Sequence, residues 1–125
     1  MRRFVVLRHS VPDGSWHLDW MIETRPSAGP DDRSLLTFRT TSLPTESPTF
    51  EAERIGDHRA CYLDFEGHLG AGRGLVTRVL AGQADAHWEG ARLLVRCATV
   101  HHSVQLEGVS SDGVRFRFSQ RTPQA

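Results

Sequence analysis

Trp16-His17-Leu18-Asp19-Trp20-Met21-Ile22-Glu23 is the stretch that decides the fold. Successive side chains on a strand point to opposite faces. Read that way, Trp16, Leu18, Trp20 and Ile22 form an apolar back, and His17, Asp19, Met21 and Glu23 form the front. So greasy a back implies a packed core behind the strand. On the front, an imidazole and a carboxylate stand two residues apart, roughly 6.6 Å along a strand. Both can lean onto one metal ion at ligand distances of about 2.0–2.2 Å. The same alternation is the ordinary mark of a half-buried strand with one face in water, and the stretch alone leaves both readings open.

Working outward, Phe4 to Leu7 is a short Val-rich apolar run, as expected of a buried strand, ended by Arg8 and His9. Pro12, Asp13 and Gly14 give the next segment turn chemistry. The two strands therefore form a hairpin with a long loop, which brings His9 near His17. Further strands are predicted at 34–40, 75–80, 92–98, 104–106 and 114–118, with 50–55 ambiguous and 84–90 a turn or loop. Arg115 and Arg117 alternate with Val114, Phe116 and Phe118. No helical period persists. About six to eight short strands at this spacing point to an all-β fold with little helix, either a small closed or partly open barrel or a sandwich. Residues 1–121 form one domain, and 122–125 read as a frayed tail.

The chain has 125 residues, enough for one real core, and balances 15 basic against 15 acidic side chains. Zero net charge gives no broad electrostatic reason to coat nucleic acid. Every basic side chain is Arg, which suits oxyanion recognition and equally suits a GC-rich genome. Cys61 and Cys97 lack CxxC spacing and read as reduced, packed thiols. With no signal-peptide pattern and no apolar run of membrane length, the expectation is a cytoplasmic protein without membrane contact.

Four groupings invite chemistry. His9, His17 and Asp19 make a plausible three-ligand set for Mn²⁺ or Zn²⁺ with positions left for water and substrate. The run from Asp57 to Gly67 carries His58, Tyr62, Asp64 and Glu66. It reads either as a functional cluster with a carboxylate pair or as a solvated edge strand with Tyr62 and Phe65 half in the core. The glycine-rich Gly70-Ala71-Gly72-Arg73-Gly74 matches neither phosphate-loop pattern and is expected to be a tight turn. His101 and His102 point to opposite sides of a strand, so they, His68 and His87 are expected at the surface.

In order along the chain come Phe4-Val5-Val6-Leu7-Arg8-His9, His17-Leu18-Asp19-Trp20-Met21-Ile22-Glu23, Asp57-His58, Tyr62-Leu63-Asp64-Phe65-Glu66-Gly67 and the 70–76 turn. This order resembles the N-terminal 3′-phosphoesterase domain of the bacterial DNA ligase D enzymes of non-homologous end joining, and most of all short stand-alone relatives of it. The resemblance spans nearly the whole chain. It implies a small barrel with its site in a crescent groove, and a Mn²⁺-dependent hydrolase that trims a 3′-ribonucleotide and removes a 3′-phosphate at DNA ends. His9, His17 and Asp19 match the family's metal ligands, and His58 and Tyr62 match residues that face the scissile phosphate. A separate ATP-dependent DNA ligase or a polymerase is the implied partner. One departure stands out: the family's phosphate-clamping Arg is Met21 here. The other phosphate-binding Arg is matched only out of register, by Arg54. Arg39, Arg73 or Arg115 could supply the missing cation. Without it, the chain would be a non-catalytic module that binds metal and nucleic-acid ends.

Overall fold

A computed structural model describes residues 1–121; the tail at 122–125 lies outside them. Strands β1 (Arg2–Ser10), β2 (Trp16–Glu23), β3 (Leu35–Thr40) and β4 (Thr49–His58) are followed by a single 3₁₀ turn, Ala60–Leu63. Then come β5 (Gly67–His68), β6 (Leu75–Glu89), β7 (Arg92–Ala98), β8 (Ser103–Val109) and β9 (Arg115–Arg121). All pairings are antiparallel. They run β1-β2-β3-β4-β9-β8-β7-β6, and a β1–β6 pairing closes the ring into an eight-stranded barrel with β5 outside it. The all-β fold expected from the strand pattern is therefore present, and the β1–β6 pairing makes it a barrel and not a sandwich.

Every barrel strand contributes to one interior cluster, which contains Phe4, Trp20, Phe38, Phe50, Phe116 and Phe118. Phe118 is its hub, with ring centroids 5.2 Å from Trp20, 5.1 Å from Phe38 and 5.3 Å from Phe50. Such edge-on and offset contacts add to what burial alone supplies. The predicted apolar back of β2 is real from Leu18 to Ile22, but Trp16 is 42% exposed at the strand's end, where the Arg8 guanidinium lies over its ring at 4.6 Å.

The outer face differs from the expected wet front. Val5, Leu7, Met21, Leu35, Leu63 and Val76 form a second cluster there, with Tyr62, Phe65 and Leu69 packed onto it. The 60–69 segment lies across β1, β2 and β3 as a lid, so β1 and β2 are buried on both faces. The run from Asp57 thus becomes the end of β4 and a 3₁₀ turn rather than an edge strand. Asp64 and Glu66 do not pair with each other. Arg3 bonds Asp64 at 2.6 Å, while Glu66 accepts the Arg78 backbone N–H at 3.0 Å. Two separate clamps fasten the lid.

A second correction concerns 84–90, expected as a turn. It is the far half of β6, which runs unbroken to Glu89 and turns at Gly90-Ala91 into β7. Ala-Asp-Ala-His has little intrinsic strand preference, and its ladder to β7 overrides that. The ambiguous 50–55 segment is strand too, inside β4. Near its middle β6 exchanges partners, with Phe4 opposite Gly82 and Ala98 opposite Gln83. A Cβ on Gly82 would lie 2.2 Å from the Ala98 carbonyl oxygen and 2.9 Å from the Phe4 ring. Gly82→Ala is therefore expected to cost about 1–3 kcal/mol, the usual toll of overpacking, read as a lower urea midpoint. An unchanged midpoint would mean that β6 crosses between its partners less tightly than described.

The loop joining β2 to β3 is tied by one ion pair. Arg25 donates to both Asp32 oxygens, at 2.6 and 2.7 Å, and the Ala28 N–H adds a third bond at 2.9 Å. The Arg25 guanidinium and the Ala28 amide hold the Asp32 carboxyl down at about 2. An unfolded Asp titrates near 3.9. The stabilisation is thus complete above about pH 4 and is lost as pH falls toward 2. Melting temperatures of wild type and Asp32→Asn should separate above about pH 4 and converge at the acid end; a constant gap across that window would contradict the clamp.

Cys97 is fully buried and Cys61 partly so, and neither is in a disulfide. Burial pushes the Cys97 thiol up to about 12, against a smaller opposing pull from the Trp20 indole N–H. That indole N–H has no hydrogen-bond partner among the described residues. Cys97 is packed in the interior cluster as expected, whereas Cys61 is only partly buried and belongs to neither apolar cluster.

Candidate metal centre

The β1–β2 register sets His9 directly opposite His17, with ring centroids 4.9 Å apart and planes at 79°. The hairpin end that carries them is closed by Val11 N–H to the Ser15 carbonyl at 2.9 Å and by Asp13, which accepts from the Ser15 hydroxyl and amide at 2.6 and 2.8 Å. Two residues along β2, on the same face as His17, is Asp19, 6% exposed. One donor atom from each of His9, His17 and Asp19 lies within 4.8 Å of the others. His17 Nε2 is 3.3 Å from Asp19 Oδ2.

Each outer ligand is held from behind. His9 Nε2 lies 2.7 Å from the Arg73 carbonyl oxygen. A carbonyl only accepts, so that nitrogen carries a proton, and in the neutral ring Nδ1 is the nitrogen that offers a lone pair. Asp19 Oδ1 accepts from Arg39 Nε at 3.4 Å, leaving Oδ2 toward His17. A backbone carbonyl on a histidine and a cation on a carboxylate are the usual outer supports of metal ligands. Burial pushes the His17 imidazole below its ordinary value, the positive charge of Arg39 adds to this, and Asp19 pulls the other way. The net direction favours the neutral ring that a metal needs. Two imidazole nitrogens and a carboxylate oxygen are a donor set that fits a divalent transition-metal ion.

The glycine-rich stretch forms the tight turn expected of it and supplies the support behind His9. The Leu69 N–H bonds the Gly74 carbonyl and the Arg73 N–H bonds the Gly70 carbonyl, both at 3.0 Å. This tight turn aims the Arg73 carbonyl at His9. Gly74, at φ +104°, sits so close to β1 that a Cβ would be 2.1 Å from the Ser10 oxygen, which only glycine permits. The Arg73 guanidinium folds back onto the Leu69 carbonyl at 2.6 Å.

The remaining predicted site residues are placed apart from the triad. His58 lies across from Leu35, which lies across from Glu23. That row is four residues, about 13 Å, along β2 from Asp19. Between the rows stand Met21, Thr37 and Ile55, and Met21 is 2% exposed. His58 Nδ1 donates to the Gly56 carbonyl at 2.8 Å, and its ring is 5.7 Å from that of Tyr62. These two are neighbours at the far side of the second cluster. Arg54 faces the same way as Phe38, its cross-strand partner, and its guanidinium lies 5.2 Å over the Trp88 ring; it is not beside His58. His68, His87, His101 and His102 are exposed, as expected.

Arg39 is the cation the triad has, standing opposite Asp19 on β3. Sequence alone left it level with Arg73 and Arg115; only register selects it. The Arg73 carbonyl has no sequence signal at all, since any residue supplies one. The chain matches no protein-family model and no curated protein.

Proposed function

We propose that this chain is a divalent-metal-dependent phosphoesterase acting at 3′ ends of nucleic acid, with His9, His17 and Asp19 as the metal ligands. The single observation that carries this reading is the convergence of three donors within 4.8 Å, two of them already oriented by Arg73 and Arg39. The sequence resemblance to the ligase D phosphoesterase domain supports the choice of substrate. Bound there, Mn²⁺ or Zn²⁺ would polarise a phosphoryl oxygen and lower the pKa of bound water. Arg39 engages Asp19 only through Nε, and its half-exposed guanidinium takes the place of the missing Arg at position 21 as a phosphate clamp. His58, whose Nδ1 is tied to the Gly56 carbonyl, stands with Tyr62 apart from the triad and takes no part in holding the terminal phosphate. A separate DNA ligase or polymerase would take up the 3′-hydroxyl product.

A second reading has its own observation. Buried Met21 and the row it shares with Thr37 and Ile55 separate His58 from the triad, which favours a module that binds metal and nucleic-acid ends without cutting them. One assay separates the two. Primer-templates ending in 3′-phosphate or in a single ribonucleotide are incubated with Mn²⁺ or with chelator. Metal-dependent conversion to a 3′-hydroxyl, weakened about 10²–10³-fold in Arg39→Ala as for loss of one anion-stabilising donor, supports the enzyme. Stoichiometric metal with no conversion leaves the binding module.

A further inference from the structure

A groove of about 780 Å³ opens beside His17 and crosses β3, β4 and β9. It begins at the triad, with Arg39 on its near wall, and runs away from the lidded face that carries Met21 and Tyr62. Arg115 and Arg117 project from the outer face of β9, two residues and about 6.6 Å apart. Glu53 stands opposite Arg115 and Glu51 opposite Arg117. Directly opposed unlike charges ordinarily close into ion pairs, yet among the described residues neither arginine forms one. Two unengaged guanidinium groups therefore stand side by side along β9, three strands from the metal ligands: Arg115 shares a cross-strand row with Glu53, Arg39 and Asp19, and Arg117 stands beside it in the row of Glu51.

We propose that this groove seats the nucleic-acid strand leading to the 3′ terminus, with backbone phosphates on Arg115 and Arg117 while the terminal group lies at the triad. Guanidinium forks suit phosphate oxygens and carry no base preference. Glu51 and Glu53 oppose the strand's charge. Three arginines against two glutamates leave the groove one positive charge in excess, so affinity is modest and the strand is positioned more than it is gripped. The inference rests on the end-processing reading for what lies at the triad, but its test does not depend on turnover.

The test measures binding of a short single-stranded DNA oligonucleotide with a 3′-hydroxyl, which cannot be turned over, in Mn²⁺ from roughly 50 to 200 mM salt. Wild type is compared with Arg115→Gln/Arg117→Gln and with Arg2→Gln/Arg96→Gln. The second pair removes the same charge from a different groove. Each lost phosphate contact on a single strand reduces the slope of log K against log salt by about 0.7. The groove variant should therefore lose about 1.4 from the slope and the control nothing, with Mn²⁺ stoichiometry intact in both. Equal losses in both variants, no loss in either, or no oligonucleotide binding by wild type would overturn the groove assignment. A normal slope change in a protein that leaves 3′-phosphates uncut would retain the groove and discard catalysis instead.

Discussion

His17→Ala/Asp19→Ala is expected to abolish stoichiometric Mn²⁺ binding and to reduce 3′-phosphate removal by on the order of 10³-fold or more. A bound metal supplies several kcal/mol of charge stabilisation, and each 1.36 kcal/mol is tenfold in rate. Both side chains lie at the end of the hairpin and neither belongs to an apolar cluster, so the barrel should persist. Arg39, released from Asp19, is 44% exposed and can turn to water. The melting temperature is expected to fall by less than about 5 °C, the shift that goes with about 1 kcal/mol in a domain of this size. Metal content measured on the folded variant is the deciding number. If it stays stoichiometric, the ligands are elsewhere and the proposed chemistry goes with them.

Trp20→Ala attacks the other essential feature. Trp20 is fully buried and touches Phe38, Phe50 and Phe118 at centroid distances of 5.8, 6.0 and 5.2 Å. Truncation leaves a cavity among rings that are themselves locked, so the site cannot collapse. The cost should be about 3–5 kcal/mol, a large share of the 5–15 kcal/mol that holds a typical domain together. In urea, with a slope of about 1–3 kcal/mol per molar, the midpoint should drop by roughly 2 M. Trp20→Phe keeps most of the volume and should cost clearly less. A drop below about 0.5 M for the alanine variant would mean that the aromatic interior is not what holds the barrel closed.

Much of this was legible beforehand because sheet physics is local in one respect. Side chains alternate along a strand whatever the strand pairs with, so the eight residues from Trp16 revealed an apolar back at Leu18, Trp20 and Ile22. The same alternation put His17 and Asp19 on one face, and the Pro12-Asp13-Gly14 turn returned His9 toward them. The part that misled was the front of the strand. Met21 gave no sign that it was buried, because burial there depends on a lid forty residues away. Residues 84–90 misled for a related reason: their composition is weak for strand, and the β7 ladder decides.

The chain's own order of residues thus determined an all-β fold, the hairpin and the three candidate ligands, since each follows from periodicity and turn chemistry, whereas closure into a barrel came from the long-range β1–β6 pairing. Tertiary structure alone decided what surrounds those ligands. Register across β2 and β3 selected Arg39, closure of the 70–74 turn aimed the Arg73 carbonyl at His9, and the packed lid set His58 and Tyr62 apart from the triad. These depend on pairings between residues distant in the chain, whose energies reside in cross-strand contacts and shared burial, and no local pattern encodes which distant partner a strand will find.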